Sequence, residues 1–265
     1  MLSSSGLNNH LKAKRAMLIR KRFFALLAFF ASALLVFAQT TYTLAIGVGT
    51  YPASRGVKSL NMPPKDAETF SKLMKSQGSQ CAIFTSRYAT RDKVLASLRA
   101  ICQKAGTADR IFIYYSGHGG VGGICPYDAN LAYDEIVPIL TASRAQRIYI
   151  FIDACHSGSI GTSLAKASNW PGGQRTDKIV AFCASRDTEN SAENALVPQG
   201  FFTQGLLKAL RGKGDENGDK QLTVMEVFNF AHKELAYRSY ATPNLKQHPV
   251  LLAPQSARGD VLVRY

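Results

Sequence analysis

Two stretches of the chain share one pattern, and each ends in a reactive side chain. Residues 110–120 (RIFIYYSGHGG) and 147–159 (RIYIFIDACHSGS) both begin with an apolar run and end in small residues. Short apolar runs of this kind are typical of fully buried strands in parallel sheets. The chain between them has room for one crossover helix, over Tyr133–Ser143. This spacing predicts that the two strands are parallel neighbours.

The two predicted strands carry complementary chemistry at their ends. The first delivers His118 and the second Cys155. Adjacent strands lie about 4.8 Å apart, and open parallel sheets bind ligands at the carboxyl ends of their strands. We therefore expect the two side chains to meet there, as the imidazole and thiol of a cysteine hydrolase. If each residue is considered alone, the alternative is that Cys155 is an inert core thiol and that His118 has a structural role. Flanking glycines favour the functional interpretation, because glycine costs conformational entropy unless backbone must approach closely.

The rest of the chain alternates predicted strands and helices. The strands are predicted at Thr43–Gly49, Cys81–Thr85 and Lys178–Ala184, and the helices at Asp66–Gln77, Arg91–Ala105, Phe201–Leu210 and Val224–Tyr237. This alternation predicts an α/β fold with a doubly wound, mostly parallel central sheet and helices on both faces. Gly47 and Gly49 are only a weak dinucleotide-binding signal, because the third glycine of that fingerprint is missing.

The motifs YYSGHG and DACHSGS together resemble those of the caspase-like cysteine peptidases. The resemblance is to metacaspase-type bacterial members more than to animal caspases, whose nucleophile motif is of the QACxG type. It runs from about Thr43 to the C-terminus. It implies a caspase-type α/β sandwich that hydrolyses peptide bonds in protein or peptide substrates, with no cofactor for catalysis.

The predicted chemistry assigns a role to each residue near the nucleophile. Cys155 attacks as a thiolate, and His118 accepts the thiol proton and then protonates the leaving amine. The backbone N–H groups of Gly119 and Cys155 are the candidate oxyanion donors, and the resemblance implies the same pair. His156 follows the nucleophile directly, and its side chain should point away, so we interpret it as structural.

Two aspartates of the predicted active site indicate which residue the enzyme would accept before the cleaved bond. Asp153 lies two residues before Cys155, on the same face of its strand, with a bracing role in the loop as the alternative. The resemblance implies that Asp153 lines the primary pocket together with Ser116 and Asp66, while Pro63 replaces a cysteine of the family. Two buried acids predict cleavage after basic residues, with arginine preferred over lysine because it pairs in a bidentate way.

One segment of the sequence resembles a known calcium-binding loop. Many metacaspases carry an acidic residue seven positions after the nucleophile; Thr162 stands there, so we expect no calcium site of that type. Residues 215–226 instead match the EF-hand loop, with lysine at the position of the usual glycine. The candidate ligands are Asp215, Asn217, Asp219, Gln221 and Glu226. We expect at most a weak, structural calcium site; the alternative is an acidic, exposed turn between helices.

The N-terminus predicts export. The apolar run Phe23–Phe37 is 15 residues long and follows basic residues. A bilayer-spanning helix needs about 20 such residues, whereas the core of a signal peptide needs about 7–15. We expect residues 1–38 to be a signal peptide removed before Gln39, and residues 39–265 to be the exported peptidase domain, periplasmic or extracellular, without stable membrane association. The alternative is an uncleaved anchor over residues 23–37.

The net charge and the cysteine spacing give no sign of a nucleic-acid partner or of a metal site formed by cysteines. The net charge is +14, but no stripe of basic residues interleaved with aromatics marks nucleic-acid binding. The five cysteines show no CxxC pair and no metal spacing, so the four besides Cys155 are predicted to be buried thiols. We expect a monomer.

Residues 159–177 look like an exposed, glycine-rich loop after the nucleophile. They contain Lys166 and Arg175, so the loop is a candidate for self-cleavage; a solvated connector is the alternative.

Two rival functions for the whole chain stay open. One is a catalytically inactive caspase-like interaction module, and the other is a different His/Cys hydrolase, such as a legumain-like enzyme or a transpeptidase.

Overall fold

A six-stranded sheet forms the centre of the fold. A computed structural model of the chain describes residues 39–169, 175–189, 200–241 and 247–265, together with Met17. The sheet consists of β1 (Thr41–Gly47), β2 (Gln80–Thr85), β3 (Arg110–Ser116), β7 (Arg147–Asp153), β8 (Ile179–Cys183) and β10 (Val250–Leu252). Their spatial order is β10-β8-β7-β3-β1-β2. All neighbours are parallel except β10, which runs antiparallel to β8.

Six α-helices and two small sheets make up the other main elements of the described chain, beside four short 3-10 helices and one π-helical turn. The helices are α1 (Pro63–Ser76), α2 (Arg91–Lys104), α3 (Tyr133–Ala142), α4 (Ile160–Ser168), α5 (Phe201–Lys208) and α6 (Val224–Ala241). One small sheet joins β4 (Gly119–Gly120), β5 (Gly123–Ile124) and β6 (Leu131–Ala132), and the other joins β9 (Gln221–Thr223) and β11 (Val261–Arg264). None of the helices in the described ranges is both long and apolar enough to cross a bilayer. The predicted signal or anchor segment, residues 1–38, falls outside those ranges except for Met17.

The sheet separates two hydrophobic cores, because successive side chains of a strand point to opposite faces. In β3, Ile111 and Ile113 belong to one core and Phe112 and Tyr114 to the other. Helices α2, α3 and α4 cover the aliphatic face, and α1, α5 and α6 cover the aromatic face. The predicted sandwich, with helices on both faces of a mostly parallel sheet, is therefore confirmed.

The predicted neighbourhood of the two motif strands is also confirmed. Strands β3 and β7 pair in parallel, with Ser116 opposite Asp153 at their carboxyl ends. Gly47, at the end of β1, has a packing role: a Cβ there would lie 2.1 Å from the Pro63 carbonyl oxygen. Glycine at this position lets the first turn of α1 approach the sheet. This packing requirement accounts for Gly47 without invoking a dinucleotide-binding role.

The structure corrects the sequence analysis at residues 159–177. These residues are not an irregular loop throughout, because Ile160–Ser168 forms α4. Ile160, Leu164 and Ala167 recur at helical spacing and pack on the aliphatic core. Residues 170–174 of the predicted loop lie outside the described ranges.

Candidate active site

The five side chains predicted for catalysis and specificity face one cavity. This cavity, of about 350 Å³, lies at the carboxyl edge of β3 and β7. His118 and Cys155 line it together with Asp66, Ser116 and Asp153. The strand register explains the grouping, because residues that follow two paired parallel strands emerge at the same edge of the sheet.

Backbone contacts hold His118 in place. Its ring Nε2 lies 2.8 Å from the carbonyl oxygen of Lys58. A carbonyl only accepts hydrogen bonds, so in the neutral ring Nε2 carries the proton and Nδ1 is left as the acceptor. No sequence motif indicates this contact, because a backbone carbonyl of the loop before α1 provides it.

Tyr51 supports His118 from the same loop. The backbone N–H of His118 donates to the Tyr51 hydroxyl at 3.1 Å, and that hydroxyl donates in turn to the Val48 carbonyl at 3.1 Å. The two rings lie 5.4 Å apart. Burial raises the pKa of Tyr51 to about 12, so the hydroxyl stays neutral at physiological pH. No motif in the sequence marks Tyr51 for this role.

Gly119 lies against the backbone of the nucleophile. A Cβ on residue 119 would come within 2.5 Å of the Cys155 carbonyl oxygen. Glycine is therefore required at this position for the β4–β5 hairpin to approach the strand exit. This contact brings together the two residues predicted to provide the oxyanion donors.

His156 is built into a turn of the backbone. It adopts a left-handed conformation with φ of 54°. Its N–H donates to the Glu189 carbonyl at 2.8 Å, and its ring Nδ1 lies 2.6 Å from the Asp187 carbonyl. These contacts to residues 187–189 fit the structural role predicted for it.

Asp66 and Ser116 form one wall of the pocket. Both side chains are buried, and the Ser116 hydroxyl donates to Asp66 Oδ2 at 3.0 Å. The backbone N–H of Gly200 donates to the same oxygen at 3.3 Å. Asp66 stands in the first turn of α1, where the helix dipole also stabilises negative charge.

Asp153 is held from the start of α5. Its Oδ2 accepts hydrogen bonds from the Thr203 backbone N–H at 3.1 Å and from the Thr203 hydroxyl at 2.7 Å. Below it, burial and the nearby charges of Asp66 and Asp153 raise the pKa of Tyr114 well above its ordinary value. Tyr114 is therefore a neutral group that hydrogen-bonds to Thr203.

Gly200 separates the two carboxylates and was missed in the sequence. A Cβ at this position would lie 2.6 Å from Asp153 Oδ2 and 3.4 Å from Asp66 Oδ2. The absence of a side chain leaves room beside both acids. Two neighbouring buried carboxylates favour a cationic ligand group, because an opposite charge offsets the free-energy cost of burying the carboxylates.

Comparison with known proteins identifies the family. The profile described as the caspase domain matches residues 40–258. The chain belongs to the caspase-domain family of peptidases. A protein of a Desulfuromonadales bacterium named a probable protease is 24% identical over 196 residues. That alignment covers 63% of this chain and 24% of the relative, so the chain spans about a quarter of the relative's length. A crystal structure of a Geobacter sulfurreducens protein shares the fold, with a TM-score of 0.62 at 22% identity, over 85% of this chain and 100% of that one.

Three of the other four thiols of this caspase domain are poorly suited to attack. None of the five cysteines is in a disulfide. Burial raises the pKa of Cys102 to about 11 and that of Cys183 to about 12. Burial also raises the pKa of Cys125. A thiol with a raised pKa carries little thiolate at neutral pH, and the thiolate is the nucleophile.

The EF-hand-like loop of this caspase domain is compact and closed by its own backbone. The carboxylate of Asp215 accepts from the N–H groups of Gly218 at 2.8 Å and Lys220 at 3.0 Å. Lys220 adopts the positive φ, 62°, that the usual glycine would have. In the described part of the chain, no three His, Cys, Asp or Glu side chains are grouped closely enough to hold a metal ion. Calcium binding through Asp215, Asn217, Asp219, Gln221 and Glu226 stays a prediction.

Proposed function

We propose that this caspase domain is a cysteine endopeptidase that uses His118 and Cys155 and cleaves after basic residues, arginine in preference to lysine. The observation that carries the proposal is that one cavity is lined by an imidazole, a thiol and two buried carboxylates. The first pair supplies the chemistry and the second pair supplies the charge preference.

The proposed reaction proceeds in two steps. His118 Nδ1 takes the proton of Cys155, and the thiolate sulfur attacks the carbonyl carbon of the substrate. The N–H groups of Gly119 and Cys155 stabilise the oxygen anion of the tetrahedral intermediate. The imidazolium then protonates the leaving amine as the C–N bond breaks. Water attacks the thioester, releases the acid product and restores the thiol.

Burial of the substrate cation supports the specificity. A guanidinium placed between Asp66 and Asp153 would meet two acceptors, and its planar fork can pair with a carboxylate in a bidentate way. A lysine ammonium would meet the same charges with a less directional group. An aspartate side chain in the same place would add a third buried negative charge.

A covalent probe tests the proposal. A fluorescent peptide whose C-terminal arginine carries a thiol-reactive ketone is expected to label the wild-type protein, and Cys155→Ala is expected to lose the label. Cys125→Ala serves as the matched control, because that thiol is half-buried and has a raised pKa; its labelling should be unchanged.

The rival functions give different results in the same assay. An inactive interaction module would show no Cys155-dependent labelling and no turnover of arginyl peptides. A legumain-like hydrolase would be labelled by an asparaginyl probe in preference to the arginyl one. Either result would contradict the proposal.

We also propose export, from the basic and then apolar N-terminus. When the full chain is expressed in a bacterium with its own leader, N-terminal sequencing of the periplasmic or secreted protein is expected to begin at or near Gln39. Recovery of residues 1–38 intact in the membrane fraction would instead identify an anchor.

Self-cleavage is expected at Arg175 and not at Lys166. Lys166 lies within α4, whereas Arg175 lies in no helix or strand of the described ranges and its side chain is 71% exposed. Each is paired with one aspartate, Lys166 with Asp134 at 3.0 Å and Arg175 with Asp177 at 3.8 Å. A protease needs an extended, accessible segment. Incubated active protein that starts near Gln39 should give fragments of about 15 and about 10 kDa. Arg175→Gln should remain intact and Lys166→Gln should not; a single band for the active wild type would refute the prediction.

A further inference from the structure

A second cavity opens at the opposite edge of the central sheet from His118 and Cys155. Its volume is about 650 Å³, within the usual range for small-molecule sites. Four arginines line it: Arg110, Arg147, Arg175 and Arg264. Asp260 is the single carboxylate among the described residues that line it. The lining therefore carries three net positive charges.

The strand register places two of these arginines side by side. Arg110 begins β3, Arg147 begins β7, and the two residues are direct partners in the parallel ladder. Like charges on adjacent strands destabilise a sheet. Arg147 is compensated, because its Nε lies 2.7 Å from Asp260 Oδ2. The Tyr149 hydroxyl donates to the same oxygen at 3.0 Å, which fixes the pair.

Arg110 is not compensated in this way. Within the described ranges it forms no ion pair. Its Nη1 donates to the Val261 carbonyl at 2.7 Å, its Nη2 donates to the Thr41 hydroxyl at 3.5 Å, and its guanidinium carbon lies 5.5 Å from the centre of the Phe112 ring. Its Nε is buried and has no hydrogen-bond partner among the described residues. A buried donor without an acceptor is costly, and such groups are rare in folded proteins. An anionic ligand in the cavity would supply both the missing acceptor and the missing charge.

The arrangement favours a phosphate-type anion. The arginines come from β3, β7, β11 and the segment before β8, so they approach the cavity from several sides. A phosphate group offers three strong acceptor oxygens and about −1.5 to −2 charges, whereas a carboxylate offers two oxygens in one plane. Arg175 also lies 3.8 Å from the Asp177 carboxylate, but both side chains are exposed and solvent screens the pair. The three net positive charges of the lining are therefore more than one phosphate neutralises. Guanidinium groups also match phosphate oxygens in a bidentate geometry.

We propose that this cavity binds a small polyanion that carries two or more phosphate groups. The site shares no residue with the catalytic cavity, so the proposal holds or fails independently of the peptidase function.

Calorimetric titration with inorganic pyrophosphate tests the site. The protein is the full chain carrying Cys155→Ala, which prevents self-cleavage, and sodium chloride keeps the ionic strength constant. We expect saturable binding at one site, with citrate at least about 10-fold weaker. Arg110→Lys keeps the charge but loses the planar fork, and it should weaken pyrophosphate binding by about 10-fold or more. Arg99→Gln is the matched control, because this exposed arginine on α2 lies outside the cavity; it should bind as before.

Thermal unfolding without ligand shows whether Arg110→Lys is folded. If it is not folded, a second variant tests the same site. Arg264→Gln changes an exposed residue on the rim and should weaken binding by about 3- to 10-fold. The proposal is overturned by the absence of saturable heat, by equal affinity for citrate, or by an equal loss of binding in Arg99→Gln.

Discussion

Replacing His118 with alanine is expected to lower kcat on arginyl peptides by about 1,000-fold while KM changes by only a few fold. In the proposed mechanism the imidazole takes part in both proton transfers, whereas the two carboxylates of the same cavity bind the substrate cation. The measurement is the hydrolysis of a fluorogenic arginyl peptide by wild type and variant. Added imidazole should restore part of the activity of His118→Ala, because the removed ring leaves a space beside the thiol.

The neighbouring histidine provides the control for this prediction. His156 is next to the nucleophile in sequence, but its ring contacts the Asp187 carbonyl. His156→Asn should retain activity within a few fold, since asparagine tolerates the left-handed backbone at that position. A larger loss in His156→Asn than in His118→Ala would reverse the two roles and contradict the mechanism.

The pairing of β3 and β7, and with it the meeting of His118 and Cys155 at one cavity, could be predicted because the information is local. Each residue follows directly after an apolar run, and parallel sheets expose their carboxyl ends at one edge. Short apolar runs and glycines are visible in the sequence without knowledge of the fold. The family resemblance implied both Asp66 and Asp153. Asp153 begins one of the two motifs, whereas Asp66 lies 50 positions before Ser116, so only the resemblance indicated it.

The groups that position these residues could not be found in this way. Thr203 reaches Asp153 from 50 positions further along the chain, and Gly200 reaches Asp66 from 134 positions further, both through the start of a helix. Lys58 acts through its carbonyl, so its side chain carries no signal. The helix α4 was overlooked because glycine and serine surround its three apolar positions, and only packing on the aliphatic core reveals its pattern.

Replacing Asp153 with asparagine is expected to lower kcat/KM for arginyl peptides by about 100-fold, which is about 3 kcal/mol of transition-state stabilisation. Asparagine has nearly the same shape, and its side-chain oxygen can still accept from Thr203. The substitution therefore removes the charge and keeps the hydrogen bonds that hold the side chain. The preference for arginine over lysine should also decrease, because bidentate pairing needs the carboxylate.

Asp92→Asn provides the matched control for this substitution, since the Asp92 side chain on α2 is 91% exposed and lies outside the cavity. It should leave kcat/KM unchanged. Urea unfolding of both variants separates a pocket effect from a loss of stability: Asp153→Asn should unfold near the wild-type midpoint if its hydrogen bonds persist. Unchanged arginyl hydrolysis in folded Asp153→Asn, or equal hydrolysis of arginyl and aspartyl peptides by the wild type, would show that the buried carboxylates hold the pocket in shape and do not select the substrate.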